Sequence, residues 1–261
     1  MTNVYATDLG HAHPEIRTIA VADLAYAVRR GVEDFSAKPS HVIFLTVIYP
    51  VVGLMLARMT TDSALMPLFF PLVAGFALLG PFAALGLYEL SRRRERGEEP
   101  HWSDALHVAK SPSFGSIVGL GAILMLVFVG WLLAAHWLAT SMLGGFDMDN
   151  YAHFIRQVLT TEQGWTMIVV GNLVGLMFAF VAFAISVVSF PLLLEHNVGI
   201  AAAVATSLRA VAANPLIMAL WGLFVAVVLA LASLPLFIGL AVAMPILGHA
   251  TWHLYRRVVV A

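Results

Sequence analysis

The chain contains no cysteine, which excludes a disulfide framework, a thiolate metal site and a cysteine nucleophile. Charge is scarce as well. Asp, Glu, Lys and Arg make up 11% of the residues, against about a quarter in soluble domains. No GxSxG, HExxH or P-loop pattern is present and no pair of carboxylates stands at a catalytic spacing, so an enzyme is not expected. A basic tail interleaved with aromatics is missing and the formal net charge is −1, which argues against a nucleic-acid partner. The polar N-terminal segment lacks the apolar core and cleavage site of a signal peptide, so the first apolar run is expected to do the targeting.

Apolar residues account for 61% of the chain and the mean hydropathy is +0.89. This is the composition of a membrane protein. Charge-free length places six transmembrane helices, at about 41–57, 64–90, 113–138, 165–194, 214–231 and 234–255. The last two share a stretch, 210–248, that carries no Asp, Glu, Lys or Arg. It is too long for one crossing of a bilayer, and a turn is expected at 232–235. The fold expected is an all-α helical bundle. Residues 1–40 form a cytoplasmic segment with an amphipathic helix at about 20–37, and residues 41–261 form the transmembrane domain.

Lys and Arg crowd alternate gaps between the spans. Arg17, Arg29, Arg30, Lys38, Arg92, Arg93, Arg94, Arg96, Lys110, Arg209, Arg256 and Arg257 fall on one side, and Arg58 and Arg156 alone on the other. Basic residues near a span resist translocation, so both termini should be cytoplasmic. In the amphipathic helix, Val21, Leu24, Val28, Val32 and Phe35 share one face, while Asp23, Arg29, Arg30, Glu33 and Asp34 take the others. It is expected to lie in the membrane interface or to pack under the bundle. A second surface helix is expected after Asn150, with Phe154, Ile155, Val158 and Leu159 as its stripe.

The organisation repeats. A small residue and a proline precede three spans, in Ala37-Lys38-Pro39, Lys110-Ser111-Pro112 and Ala213-Asn214-Pro215. Each returning span carries a proline near its cytoplasmic end, Pro81, Pro191 or Pro245, where a structural hinge is expected. Pro81, Tyr88, Leu90 and the Arg92–Arg93 pair match Pro245, Trp252, Leu254 and the Arg256–Arg257 pair in spacing. The pattern reads as three tandem units of amphipathic segment plus helical hairpin. Trp131, Trp137, Trp165 and Trp252 are expected in interfacial belts, and Gly171–Gly175 has the spacing of a close helix contact.

The run from Asp34 through Lys38-Pro39-Ser40-His41 to Tyr49-Pro50, the Gly80-Pro81 to Arg94 segment with Gly86-Leu87-Tyr88-Glu89, and Gly248-His249-Ala250-Thr251-Trp252-His253 carry a resemblance. Over about 21–259 the chain resembles DUF2189, a bacterial family of predicted integral membrane proteins, some of whose members are labelled cytochrome c oxidase subunits. The resemblance implies a membrane fold in the bacterial inner membrane and supplies no catalytic residues.

The oxidase label conflicts with the histidine count inside the spans, where only His41, His136, His249 and His253 occur in or beside apolar runs. A catalytic haem–copper subunit needs more. His249 and His253 lie one turn apart on one face and His41 opens the first span at the same side, so these three are the candidates for haem or metal ligation. The competing reading is histidines hydrogen-bonded to backbone, water or headgroups, and no cofactor is expected. For a transporter the relevant groups are Asn172, Ser186 and Ser189, the polar side chains inside the fourth span. The expectation that best fits these residues is an inner-membrane accessory or assembly protein beside a larger, respiratory complex, with the lipid bilayer and a membrane-protein partner or second copy as its contacts. Transport of a small solute or ion is the alternative.

Overall fold

Hydrocarbon offers the backbone no hydrogen-bond partners, so apolar runs of this length fold as helices. The computed structural model describes residues 14–37, 68–142, 144, 151–235 and 237–260. In chain order these are β1 (Glu15–Ile16) and α1 (Val21–Ala37); then α2 (Phe69–Phe76), a 3-10 turn (Ala77–Leu79), α3 (Gly80–Ala83) and α4 (Leu85–Glu95) end to end. A 3-10 segment (Trp102–Lys110) leads into α5 (Phe114–Met142), followed by α6 (Tyr151–Thr160), α7 (Glu162–Ser186) and α8 (Ser189–Glu195). The last elements are α9 (Ile200–Ala213), α10 (Pro215–Ser233), α11 (Leu240–Val258) and β2 (Val259–Val260).

Among the described residues four stretches are long and apolar enough to cross a membrane: Phe69–Glu95, Phe114–Met142, Glu162–Glu195 and Pro215–Ser233. They coincide with the spans expected at 64–90, 113–138, 165–194 and 214–231. The span expected at 41–57 lies outside the described residues. Helix α11 is as long as α10, but its C-terminal half carries His249, His253, Arg256 and Arg257 and is mostly buried in the protein. The reversal between α10 and α11 falls at 234–239, later than the sequence suggests. There Phe237 takes a positive φ of 63°, and a Cβ on Gly239 would stand 2.6 Å from the Ala232 carbonyl oxygen.

The spans expose large apolar side chains, among them Leu126 at 72%, Leu176 at 66% and Leu216 at 70%. A surface of this kind is stable against lipid and not against water. The tightly packed core lies instead toward the arginine-bearing end, where Tyr88, Phe190, Leu192, Leu193, Trp252 and Tyr255 are fully buried. Of the four tryptophans expected in belts, Trp137 and Trp165 are exposed, but Trp131 and Trp252 are buried. Trp131 sits over Gly75 and Gly175 and donates its Nε1–H to the Pro71 carbonyl at 2.9 Å. Gly171, the other half of the GxxxG pair, faces open space.

Each amphipathic segment packs on a returning helix: the 3-10 segment on α4, α9 on α7 and α8, and α1 on α11. Helix α1 therefore packs under the bundle, and its buried face is Ala27, Gly31 and Asp34. Val21 and Val32, two residues of the expected apolar stripe, are exposed. The small residues allow a closer approach than the valines would. A Cβ on Gly31 would lie 2.7 Å from both the Ala250 nitrogen and the Ile246 carbonyl oxygen. Antiparallel pairing of β1 with β2 then sets Glu15 opposite Val260. Helix α6 lies at the other end, with Phe154 buried and Ile155 and Leu159 exposed.

The prolines sit differently in their helices. Pro81 occupies the first turn of α3, directly after the 3-10 turn that interrupts the span. Ahead of Pro191 the helix stops at Ser186 and resumes at Ser189, because a proline crowds the carbonyl four residues before it. In the gap the Ser207 hydroxyl replaces a helical bond: it accepts from the Val188 N–H at 3.2 Å and donates to the Ala184 carbonyl at 2.7 Å. Pro245 lies within α11, which continues on both sides of it.

Candidate functional site

The site is assembled at the crossing of α1, α4 and α11. Gly31 brings α1 against Ala250, and the next turn of α1 delivers Asp34 between His249 and His253. The His253 Nε2–H donates to Asp34 Oδ2 at 2.8 Å, and the Ser91 hydroxyl donates to the same oxygen at 2.6 Å. Ser91 also lies 2.7 Å from His249 Nδ1. Because its single hydrogen is committed to Asp34, Ser91 can only accept there, so His249 carries its proton on Nδ1. Arg94 closes the cluster, 3.2 Å from Asp34 Oδ1 and donating to the Glu33 carbonyl at 2.7 Å. Asp34, Ser91, His249 and His253 are all buried.

A carboxylate is tolerated here because its neighbours replace water. Burial alone pushes the Asp34 carboxyl up, but the hydrogen bonds from His253 and Ser91 hold it below the ordinary carboxylate range. The arrangement joins three helices through one anion. It also leaves little ligating capacity, since His253 Nε2 and His249 Nδ1 are both engaged, and no metal-ligating group of three His, Asp or Glu residues occurs among the described residues. His41, the third candidate ligand, lies outside those residues.

Two more polar clusters share this end. Arg256 of α11 bonds Glu195 of α8 at 2.9 Å and pairs with Glu95 of α4 at 3.3 Å, Tyr255 donates to Glu195 at 2.6 Å, and Trp252 donates to Glu95 at 3.2 Å. The three returning helices therefore meet at their charged ends. Glu89, also buried, pairs with Arg92 at 2.6 Å and Arg93 at 2.8 Å. Arg93 reaches Asp104 of the 3-10 segment at 3.4 Å. The backbone N–H of His101, aided by Arg93, holds the Asp104 carboxyl below its usual range.

At the base of α10, Asn214 stitches the N-terminal segment in place. Its Oδ1 accepts from the Ile19 N–H at 2.8 Å, and its Nδ2 donates to the Arg17 carbonyl at 3.0 Å. Of the sequence candidates, His249 and His253 are brought together. Asp34, Ser91 and Arg94 complete the site without having been candidates. The signal for Asp34 was its place one turn after Gly31 and Ala27, a stripe narrower than the apolar one. Asn172, the candidate for a polar path, faces outward and bonds the Ile168 carbonyl of its own helix at 2.7 Å.

Several apolar helices with lipid-type surfaces, joined by a dense polar layer at one end, define a multi-pass helical integral membrane protein. Residues 69–195 match the model of the family described as predicted integral membrane protein (DUF2189), so the resemblance holds over that segment, which is shorter than the 21–259 read from the sequence. No curated protein and no solved structure matches the chain.

Proposed function

We propose that the chain is a non-catalytic accessory or assembly protein of a bacterial inner membrane, docked beside a larger membrane complex. In this reading it crosses the bilayer six times, in three units of amphipathic segment plus hairpin, with both ends in the cytoplasm. The packing of α1 on α11, the 3-10 segment on α4 and α9 on α8 supports the three-unit reading, since each segment covers a returning helix. The charge bias supports the orientation.

The observation that carries the proposal is the distribution of polarity. Among the described residues the buried charges gather at the arginine-bearing end and are paired there, while the polar groups of the fourth span bond their own backbone: Asn172 to Ile168, Ser186 to Ala182 and Ser189 to Ile185. A carrier needs polar groups turned toward a pathway at mid-depth. The helix breaks at 77–84 and 187–188 favour transport as the second reading, because broken spans often flank substrate sites. Against it, Ser207 serves the backbone groups beside the second break.

Chemical cross-linking in native membranes, followed by purification in mild detergent, tests the choice. The accessory reading expects a stoichiometric complex well above the 28.2 kDa of one chain, with cross-links from α5 or α7 to one identified membrane partner. A chain that is monomeric throughout, or a solute uptake that Asn172→Leu abolishes, contradicts it.

A further inference from the structure

Helix α7 is packed by α5, α6 and α9 on one side and bare on the other, where Trp165, Val169, Leu176 and Met177 are each more than half exposed. Asn172 is exposed in the same face. Seven residues, about 10 Å of helix rise, separate it from Trp165, and the next charged residue in the other direction is Glu195. The side chain therefore lies inside the apolar part of the Glu162–Glu195 stretch. One N–H of its amide goes to the Ile168 carbonyl of its own helix; among the described residues the second N–H and Oδ1 have no partner. Hydrocarbon supplies neither donor nor acceptor, so an amide left facing it is costly.

The spacing around Asn172 is an independent observation. Trp165, Val169, Asn172 and Leu176 follow one another at intervals of four, three and four, and all four are exposed. This is the 3.5-residue period of a left-handed helix pair. The face thus fits a second helix that carries a polar group at the depth of Asn172. A second copy of this chain meets that requirement by symmetry. Two copies inserted with the same orientation are related by a twofold axis along the membrane normal, so their α7 helices run parallel and Asn172 meets Asn172 at equal depth. An amide both donates and accepts, so the pair satisfies itself.

We propose that this face of α7 is a homodimer interface, with Val169 and Leu176 packed across the axis and the two Asn172 amides bonded to each other. The inference does not depend on the accessory role, and it leaves the exposed face of α5 for a different protein.

Single introduced cysteines read the interface, since the chain has none of its own. In oxidised native membranes Leu176→Cys is expected to give a disulfide-linked dimer. Met177→Cys, about 140° round the helix from Asn172, is expected to give none. Sedimentation equilibrium of the purified chain in mild detergent measures the self-association separately from any other partner. Asn172→Leu should weaken the dimer about tenfold, as the loss of an interhelical amide pair implies, and leave thermal stability unchanged because the side chain is exposed. Asn172→Gln keeps the amide and should recover most of the affinity. A wild-type chain that stays monomeric at every concentration, a dimer that Asn172→Leu leaves as tight, or equal cross-linking through Met177→Cys overturns the proposal. A disulfide between Leu176→Cys and a different protein puts another occupant on the face and overturns it as well.

Discussion

His253 donates its Nε2–H to Asp34 at 2.8 Å, joining two buried residues that lie 219 positions apart. Through this bond, and the Ser91 hydroxyl on the same carboxylate oxygen, α1 is fastened to both α11 and α4. Asp34→Asn keeps the volume but removes the anion that Arg94, Ser91 and His253 address. A loss of about 2–3 kcal/mol in α1 docking is expected, the range for hydrogen bonds to a charged group. Hydrogen exchange of residues 21–37 should accelerate while that of α5 and α7 stays as it was. Unchanged protection of α1 contradicts the fastening.

The same carboxylate sets a pH dependence. Its folded pKa is held below the unfolded value of about 3.9, so it contributes stability above that value and loses it as pH falls through the folded one. Asp23, paired with Arg257 at 2.6 Å and also held low against the upward push of its burial, acts with the same sign. Helix α1 should remain docked from neutral pH to about pH 4 and detach below it. Exchange measured across that range in the wild type and in Asp34→Asn should show a smaller acid limb in the variant. An identical acid limb assigns the transition to other groups.

Asn214→Ala removes the acceptor of the buried Ile19 N–H and a donor to the Arg17 carbonyl. An expected cost of about 1–3 kcal/mol follows from leaving such a group unserved. Protease accessibility at residues 17–19 should rise. Because β1 pairs with β2 next to this anchor, the C-terminal residues should loosen with it.

Ser207→Ala opens the bridge between Val188 and Ala184. Two buried backbone groups lose their partner, and thermal stability should fall by about 1–3 kcal/mol. Ser207→Thr retains the hydroxyl and should restore most of it. Equal loss in both variants points to packing and not to the bridge.

Much of the helical framework was legible because long apolar runs admit few alternatives in lipid. Four expected spans coincide with apolar helices to within a few residues at most ends. The site was less legible for a specific reason. Periodicity assigned Asp34 to a solvated face with Glu33, since charge on an amphipathic helix normally faces water. The close approach of Gly31 to Ala250 rotated α1, so that Ala27, Gly31 and Asp34 face inward and Val21 and Val32 do not. The partners that make this tolerable, Ser91, Arg94 and His253, lie far away in sequence. Trp131 was misread likewise: its burial depends on Gly75 and Gly175, two glycines on other helices.

In the proposed topology the ends of the chain and the three charged helix termini share one membrane face. Because the protein contains no cysteine, a single introduced thiol reports its own side. Glu15→Cys, Arg96→Cys, Arg209→Cys and Gln163→Cys should be labelled with a membrane-impermeant maleimide in intact cells and in inverted vesicles. The first three are expected to react only in inverted vesicles and Gln163→Cys only in intact cells. Labelling of Gln163→Cys from the same face as Glu15→Cys would contradict the account.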